Sequence, residues 1–311
     1  MQLLVASAGG HLTQLRRLRP WLDSADAVAL WVTYDSSQGR ALQRDHEVVF
    51  GHGPSTRNVR AAVHNHRLAT QLLDSRNCDR VVSTGAGIAV PFLVEAARRG
   101  LDAVYVESAT RTHGPSLSGR ILEHVPGVAC YSQWPWHRRR WGAGLCVFDV
   151  FSPQPAASSR HDERQILVTL GTHRGYGFRR LVDQVMRLVK PTDRVVWQTG
   201  PTPAPGHIGH QVGPLGPAEF ARLVERSDVI IGHAGIGTAL TAMERGKLPI
   251  LVPRRRAHGE HVDDHQVSLA RFLDDRRLAL GREVEALTEA DFDTAAHHEI
   301  VRATGSLPLT R

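Results

Sequence analysis

Short apolar runs alternate with amphipathic stretches over most of the chain. Runs at 2–6 (QLLVA), 27–33, 46–50, 80–83, 102–106 and 127–131 are brief and almost wholly apolar. That is the pattern of strands buried on both faces of a parallel sheet. Between them Leu12, Leu15, Leu18 and Leu22 recur at near-helical spacing. Residues 57–75 carry a longer amphipathic pattern, and 88–99 (IAVPFLVEAARR) another. Strand–helix alternation at this spacing predicts βαβ units.

The pattern pauses at 151–164 (FSPQPAASSRHDER), a Pro- and Ser-rich stretch without periodicity that reads as a linker. It then restarts. Strands are predicted at 165–170, 194–198, 228–231 and 248–252. Helices are predicted over 178–189, 217–226, 262–274 and 289–299. The expected architecture is therefore α/β, with two Rossmann-like domains whose parallel sheets face a central cleft. The N-terminal domain covers 1–152, the linker 153–164 and the C-terminal domain 165–311.

Composition narrows the class. The chain has 311 residues, enough for two domains of roughly 150. No run approaches the roughly 18 apolar residues of a membrane span, and the start lacks the basic and apolar regions of a signal peptide. Three cysteines without a CxxC pair argue against a disulfide framework or a structural zinc site, and point to a reducing cytoplasm. The net charge is +7, and all but two of the 38 basic residues are arginine. Residues 1–152 hold 17 basic against 12 acidic residues, so the excess leans to the first half. An anionic partner such as a membrane surface or a polyphosphate suits that bias, as does a merely soluble basic protein.

Ligands of parallel α/β sheets sit beyond the carboxyl ends of the strands, so the loops there carry the candidate chemistry. Gly9-Gly10-His11 follows the first strand. Glycines admit a ligand close to the backbone, and a histidine there suits a general base; a tight turn with a capping histidine is the plain alternative. GxGxxG is incomplete because Thr13 stands at the third glycine, which argues against NAD. Gly85 and Gly87 form a second backbone cradle. Glu107 and Arg111 follow the strand at 102–106, either as working groups or as a surface salt bridge. In the second half Gly171-Thr172 and Thr199-Gly200 end strands. His233-Ala234-Gly235-Ile236-Gly237-Thr238 leads into a helix, where backbone amides and a hydroxyl make a diphosphate-sized anion site. Residues 254–266 combine arginines able to neutralise phosphate with Glu260, Asp264, His265 and Gln266, able to bind sugar hydroxyls. His261 and His265 have the i, i+4 spacing of a zinc helix but lack the glutamate of HExxH, so no metal is expected.

These motifs resemble GT-B glycosyltransferases of family 28 type, and within them the two-subunit enzymes that add N-acetylglucosamine to dolichol-linked carriers, with their bacterial exopolysaccharide relatives. SAGGH (7–11), STGAGIAVP (83–91) and YVESATRT (105–112) resemble the membrane-side subunit. LVTLGTH (167–173), IIGHAGIGT (230–238) and GEHVDDHQ (259–266) resemble the donor-binding subunit. The chain looks like a fusion of both. The resemblance implies inverting transfer from a UDP-sugar, with UDP-N-acetylglucosamine favoured, to a polyprenyl-diphosphate-linked acceptor, with no cofactor or metal. It implies His11 and Glu107 as catalytic groups. It places Gly171, Thr172, Thr199, Gly200, His233, Ala234, Gly235, Gly237, Thr238, Glu260, Asp264, His265 and Gln266 on the donor. Gly9, Gly10, Gly85, Gly87 and Arg111 fall on the acceptor.

Two departures stand out. The family's ribose-binding glutamate, five residues before the glycine of the GK turn, is Thr241 here. The usual N-terminal hydrophobic anchor is missing, so contact with the inner face of the plasma membrane is expected to be peripheral. WPWHRRRW (134–141) is the candidate, with tryptophans in the bilayer interface and arginines on headgroups, or else tryptophans packed inward. A nucleotide-sugar epimerase and a non-catalytic nucleotide-sugar-binding subunit are alternatives. Nucleic-acid binding is not expected, since no such motif is present.

Overall fold

The computed structural model describes residues 1–22, 28–53, 58–136, 138–143, 146–156, 163–171, 176–262 and 264–303. The chain folds as two compact units that divide after Val147.

In the first unit the elements run β1 (Gln2–Ala6), α1 (Gly10–Leu18), β2 (Ala29–Tyr34), α2 (Ser37–Leu42), β3 (Glu47–Gly51), α3 (Val59–Ser75), β4 (Arg80–Gly85), α4 (Ala89–Arg98), β5 (Asp102–Val106), α5 (Leu117–Leu122), β6 (Val128–Ser132) and β7 (Trp141–Ala143). The strands form one sheet in the order β3-β2-β1-β4-β5-β6-β7, every pairing parallel. All five residues of β1 are buried, as a central strand covered on both faces requires. Leu12, Leu15 and Leu18 turn one stripe of α1 into the core. Asn58 and Ser116 cap α3 and α5 by accepting from the N–H groups of Ala61 and Gly119.

The second unit contains β8 (Phe151–Pro155), β9 (Gln165–Thr169), α6 (Arg179–Leu188), β10 (Arg194–Gln198), β11 (His210–Gln211), α7 (Pro217–Arg226), β12 (Val229–His233), α8 (Ile236–Glu244), β13 (Ile250–Val252), α9 (His265–Asp275), β14 (Leu280–Gly281), α10 (Glu289–Ala296) and β15 (His298–Arg302). Its main sheet runs β11-β10-β9-β12-β13-β14, again all parallel. Counted from each sheet's first strand, both units share one winding. The strand order reverses between β1 and β4 in the first, and between β9 and β12 in the second. Around β9 and β12 the core gathers Phe178, Trp197 and Phe292, all fully buried.

Two local expectations change. The stretch read as linker begins as a strand, because β8 pairs antiparallel with β15. The helix expected over 289–299 stops at Ala296 for the same reason: backbone groups from His298 onward go to that ladder instead of to a helix. Among the described residues no helix is long and apolar enough to cross a membrane.

Candidate functional site

In open α/β sheets ligands bind where the strand order reverses, beyond the carboxyl ends of the strands. In the first unit two loops flank that point: Ser7–Gly9 after β1, and Gly85–Ile88 after β4. His11, in the first turn of α1, reaches from one to the other. Its Nδ1 lies 2.7 Å from the Thr84 carbonyl, and the Thr84 hydroxyl donates back to the His11 carbonyl at 2.7 Å. A carbonyl only accepts, so Nδ1 carries the proton and Nε2 keeps a free lone pair. Burial holds the His11 pKa below the ordinary imidazole value. The Thr84 backbone and Glu107 oppose that shift, and Arg111 adds to it. His11 is therefore neutral at pH 7.

The glycines serve this geometry. Gly85 has φ +116°, and a Cβ there would lie 3.1 Å from the His11 ring. Ala86 is held at φ +62°, a left-handed conformation costly outside glycine. Gly9 has φ +94° with open space around it, and its N–H donates to Gln38 Oε1 at 2.6 Å. Gly10 opens α1, and Gly87 lies half-buried in the turn before α4.

Glu107 does not present a free carboxylate. It is 1% exposed. One oxygen accepts from the Tyr105 hydroxyl and the Ser108 N–H at 3.0 and 3.1 Å, the other from the Ser116 N–H and hydroxyl at 2.8 and 2.9 Å. All its strong acceptor positions are filled. It fastens the start of α5 and lends negative potential to His11. Beside it lies a buried amide chain that the sequence motifs did not point to. Gln14 Nε2 donates to Ser108 Oγ at 2.9 Å, while its Oε1 accepts from the Ala109 N–H and from Gln133 Nε2. Gln133 Nε2 also donates to the Glu107 carbonyl at 2.9 Å. A glutamine at position 14, between Leu12 and Leu15 of a buried stripe, was the one available signal.

In the second unit the flanking groups are Gly171 after β9 and the turn from His233 into α8. Gly171 has φ +76°, and a Cβ on it would stand 2.7 Å from the His233 ring; one on Gly235 would stand 2.3 Å from His233 Nε2. Both glycines are thus required by the imidazole between them. The His233 pKa is pushed down to about 3, first by burial and then by Arg254, with the Thr169 backbone opposing. Its Nδ1 is buried with no hydrogen-bond partner. Gly200, with φ +59°, backs onto the Gly171 carbonyl, which a Cβ would approach to 2.9 Å. Thr199, Ala234 and Thr238 are buried beside these turns, and Gly237 faces open space in the first turn of α8. Thr172 lies outside the described residues. The Thr241 hydroxyl donates to the Gly237 carbonyl at 2.9 Å.

The loop before α9 divides. Glu260, grouped by resemblance with the donor, is turned into the fold. Arg180 binds both its oxygens at 2.9 and 3.1 Å, and the Arg255 N–H donates to one of them. Gln266 is buried and accepts from the Arg254 N–H at 3.0 Å. Asp264 accepts from the Arg256 N–H at 2.9 Å and stays exposed. His265 meets His261 edge-on, ring centroids 4.8 Å apart, and His261 lies 5.6 Å from Tyr176. Among the described residues no group of three or more metal-ligating side chains converges.

The segment 134–141 resolves against an aromatic membrane face. Trp134 Nε1 donates to the Ala109 carbonyl at 3.1 Å, Trp136 Nε1 to the Thr112 carbonyl at 3.0 Å, and Trp141 Nε1 to Glu123. Trp134 and Trp141 are 6% and 7% exposed. The indoles brace the loop after β5; Arg139 and Arg140 remain exposed.

Residues 165–287 match the glycosyltransferase family 28 C-terminal domain, a span that holds Gly171, His233 and the 254–266 loop. The human UDP-N-acetylglucosamine transferase subunit ALG14 is 29% identical over 165 residues, covering 43% of this chain and 74% of its own length. Among solved structures, Acinetobacter baumannii MurG superposes with a TM-score of 0.56 at 18% identity, covering 94% of this chain and 89% of that one. A putative UDP-N-acetylglucosamine 2-epimerase from Listeria monocytogenes superposes at 0.60 with 10% identity, covering 94% of each chain. With the Gly171 and His233 turns inside the matched span, residues 165–287 carry a glycosyltransferase family 28 C-terminal domain, and the chain has the GT-B fold.

Proposed function

We propose that the protein transfers a sugar, with inversion, from a UDP-sugar to a polyprenyl-diphosphate-linked acceptor at the inner face of the plasma membrane. Cell-surface polysaccharide or glycolipid synthesis is the setting that suits such an acceptor. One observation carries the reading. His11 is neutral, its Nδ1–H is spent on the Thr84 carbonyl, and its Nε2 lone pair is left for a proton. A general base needs that combination at neutral pH.

In this reading Nε2 takes the proton of an acceptor hydroxyl while its oxygen attacks the anomeric carbon opposite the nucleotide. The bond from that carbon to the diphosphate breaks, and UDP leaves with the electron pair. The N-terminus of α8 and the Gly171 turn meet the growing negative charge. Asp264, His265 and Gln266 hold the donor sugar, with the exposed Asp264 the freest of the three. UDP-N-acetylglucosamine is the favoured donor, supported by the likeness to the human transferase subunit. Gly9, Gly10, Gly87 and Arg111 surround the acceptor. Membrane contact is supported by α5, where Leu117 and Ile121, one turn apart, are 67% and 45% exposed. Arg120, Arg139 and Arg140 are exposed on α5 and on the segment bound to its C-terminal end.

A second reading, epimerisation of the nucleotide sugar, is favoured by the fold likeness to the Listeria protein. Incubation with radiolabelled UDP-N-acetylglucosamine, with and without lipid-linked saccharide, separates the two. Label entering the lipid phase only with acceptor supports transfer. A changed UDP-sugar without acceptor supports epimerisation, and UDP binding without either product leaves a binding subunit.

A further inference from the structure

The second unit buries two arginines in opposite ways. Arg164 is 8% exposed, and its guanidinium is held by Asp193 and Asp293, with contacts of 2.8 Å. Arg254 is 1% exposed and has no such partner. One terminal nitrogen donates to the Leu170 carbonyl at 2.8 Å. The guanidinium carbon lies 5.7 Å from the Phe178 ring centre, and Nε is buried with no hydrogen-bond partner. Glu260 is the carboxylate whose field reaches it, and that group is already bound by Arg180 and the Arg255 N–H. Among the described residues no carboxylate pairs with Arg254.

A buried cation without a counter-ion is strongly unfavourable. It is tolerated where the missing charge comes from outside. Arg254 stands where that can happen. It follows β13, bonds the residue just before Gly171, and exerts its field on His233, whose own Nδ1 is unpartnered. These groups line the two turns flanking the strand-order reversal of this sheet, where α8 begins.

We propose that Arg254 is the counter-ion of the donor's diphosphate. It is a binding and positioning residue whose charge is balanced by ligand, not by protein. This rests on the nucleotide-sugar reading of the same site and adds to it the residue that holds the leaving group in place of a metal.

Calorimetry and thermal unfolding of the full chain test this, with inorganic pyrophosphate and UDP as probes. Arg254→Met removes the charge and keeps the bulk. Arg254→Gln removes the charge and can still donate to the Leu170 carbonyl. Both are expected to bind pyrophosphate and UDP about tenfold or more weakly, as loss of a charge-assisted contact implies. Their unliganded Tm should equal or exceed that of the parent, because an unbalanced buried charge has been removed. Should Arg254→Met not fold, Arg254→Gln carries the affinity test alone. Parental affinity in a folded neutral variant overturns the proposal, as does a parent that pyrophosphate does not stabilise. A parent stabilised by pyrophosphate but not by UDP keeps the anion seat and removes the nucleotide reading.

Discussion

The two units solve one geometric problem and put the solutions to different uses. Each has an imidazole spanning the point where strand order reverses, laid against a glycine of positive φ from the other side: His11 on Gly85, His233 on Gly171. Burial depresses both rings. Their surroundings then diverge. His11 has a carbonyl for its Nδ1 and the potential of Glu107 to lift its basicity. His233 has an unpartnered Nδ1 and the uncompensated charge of Arg254. On the proposed roles, one corner accepts a proton and the other receives an anion. Backbone topology sets where a ligand binds; the sign of the nearest buried charge sets what the corner does.

The sharpest way to break that contrast is to remove His11. His11→Ala should lower transfer about 10²–10⁴-fold, the range for a lost general base, while calorimetric UDP affinity stays at the parental level. In the parent, log kcat/KM should rise with pH through an apparent pKa below 6.5 and then level off, since the neutral ring is the active form. An equal loss of UDP affinity would erase the distinction between the corners.

A smaller effect tests the other side. His233 takes up its proton in the unfolded chain near pH 6.5, but in the folded one only near pH 3. Its contribution to stability is complete above 6.5 and declines as pH falls towards 3, by about 1.4 kcal/mol per pH unit. His233→Gln should lack that slope. Urea unfolding at pH 7, 6 and 5 measures it, and an identical slope in both proteins would show that the ring is not held neutral.

The smallest effect concerns the surfaces around the two corners. Arg139→Gln and Arg140→Gln should each weaken binding to vesicles containing anionic lipid by about fivefold, from about 1 kcal/mol per charge near the surface. Arg179→Gln, an exposed change in the second unit, should not. Equal losses from both units would leave general basicity as the cause.

Most of the sheet order was legible because unbroken runs such as QLLVA and QILVT have few other uses, and helix stripes such as Leu12, Leu15 and Leu18 locate the covering layer. Histidine and glycine turns were legible because strand ends are where chemistry collects. Partnering was not. Glu107 and Glu260 look like working carboxylates in one dimension, yet their acceptors are filled by Ser116, Tyr105, Arg180 and Arg255 from elsewhere in the chain. WPWHRRRW alternates like an interfacial segment, but which way an indole turns depends on carbonyls more than twenty residues away, at 109 and 112. β8 and β15 escaped notice because the partner that makes each a strand lies about 145 residues distant. Arg254 was only one arginine of three until its missing counter-ion could be seen.

That antiparallel ladder also determines how the chain would behave if it were two chains. β8 belongs to the stretch that directly follows the first unit, and β15 is the last described strand. A backbone break between Ala156 and Glu163 would leave one strand on each fragment. The five paired positions from Phe151 with Arg302 to Pro155 with His298 would then become an intermolecular docking seam. A chain cut there would keep a ready-made handshake, through which the C-terminal fragment could rejoin the N-terminal one by strand addition.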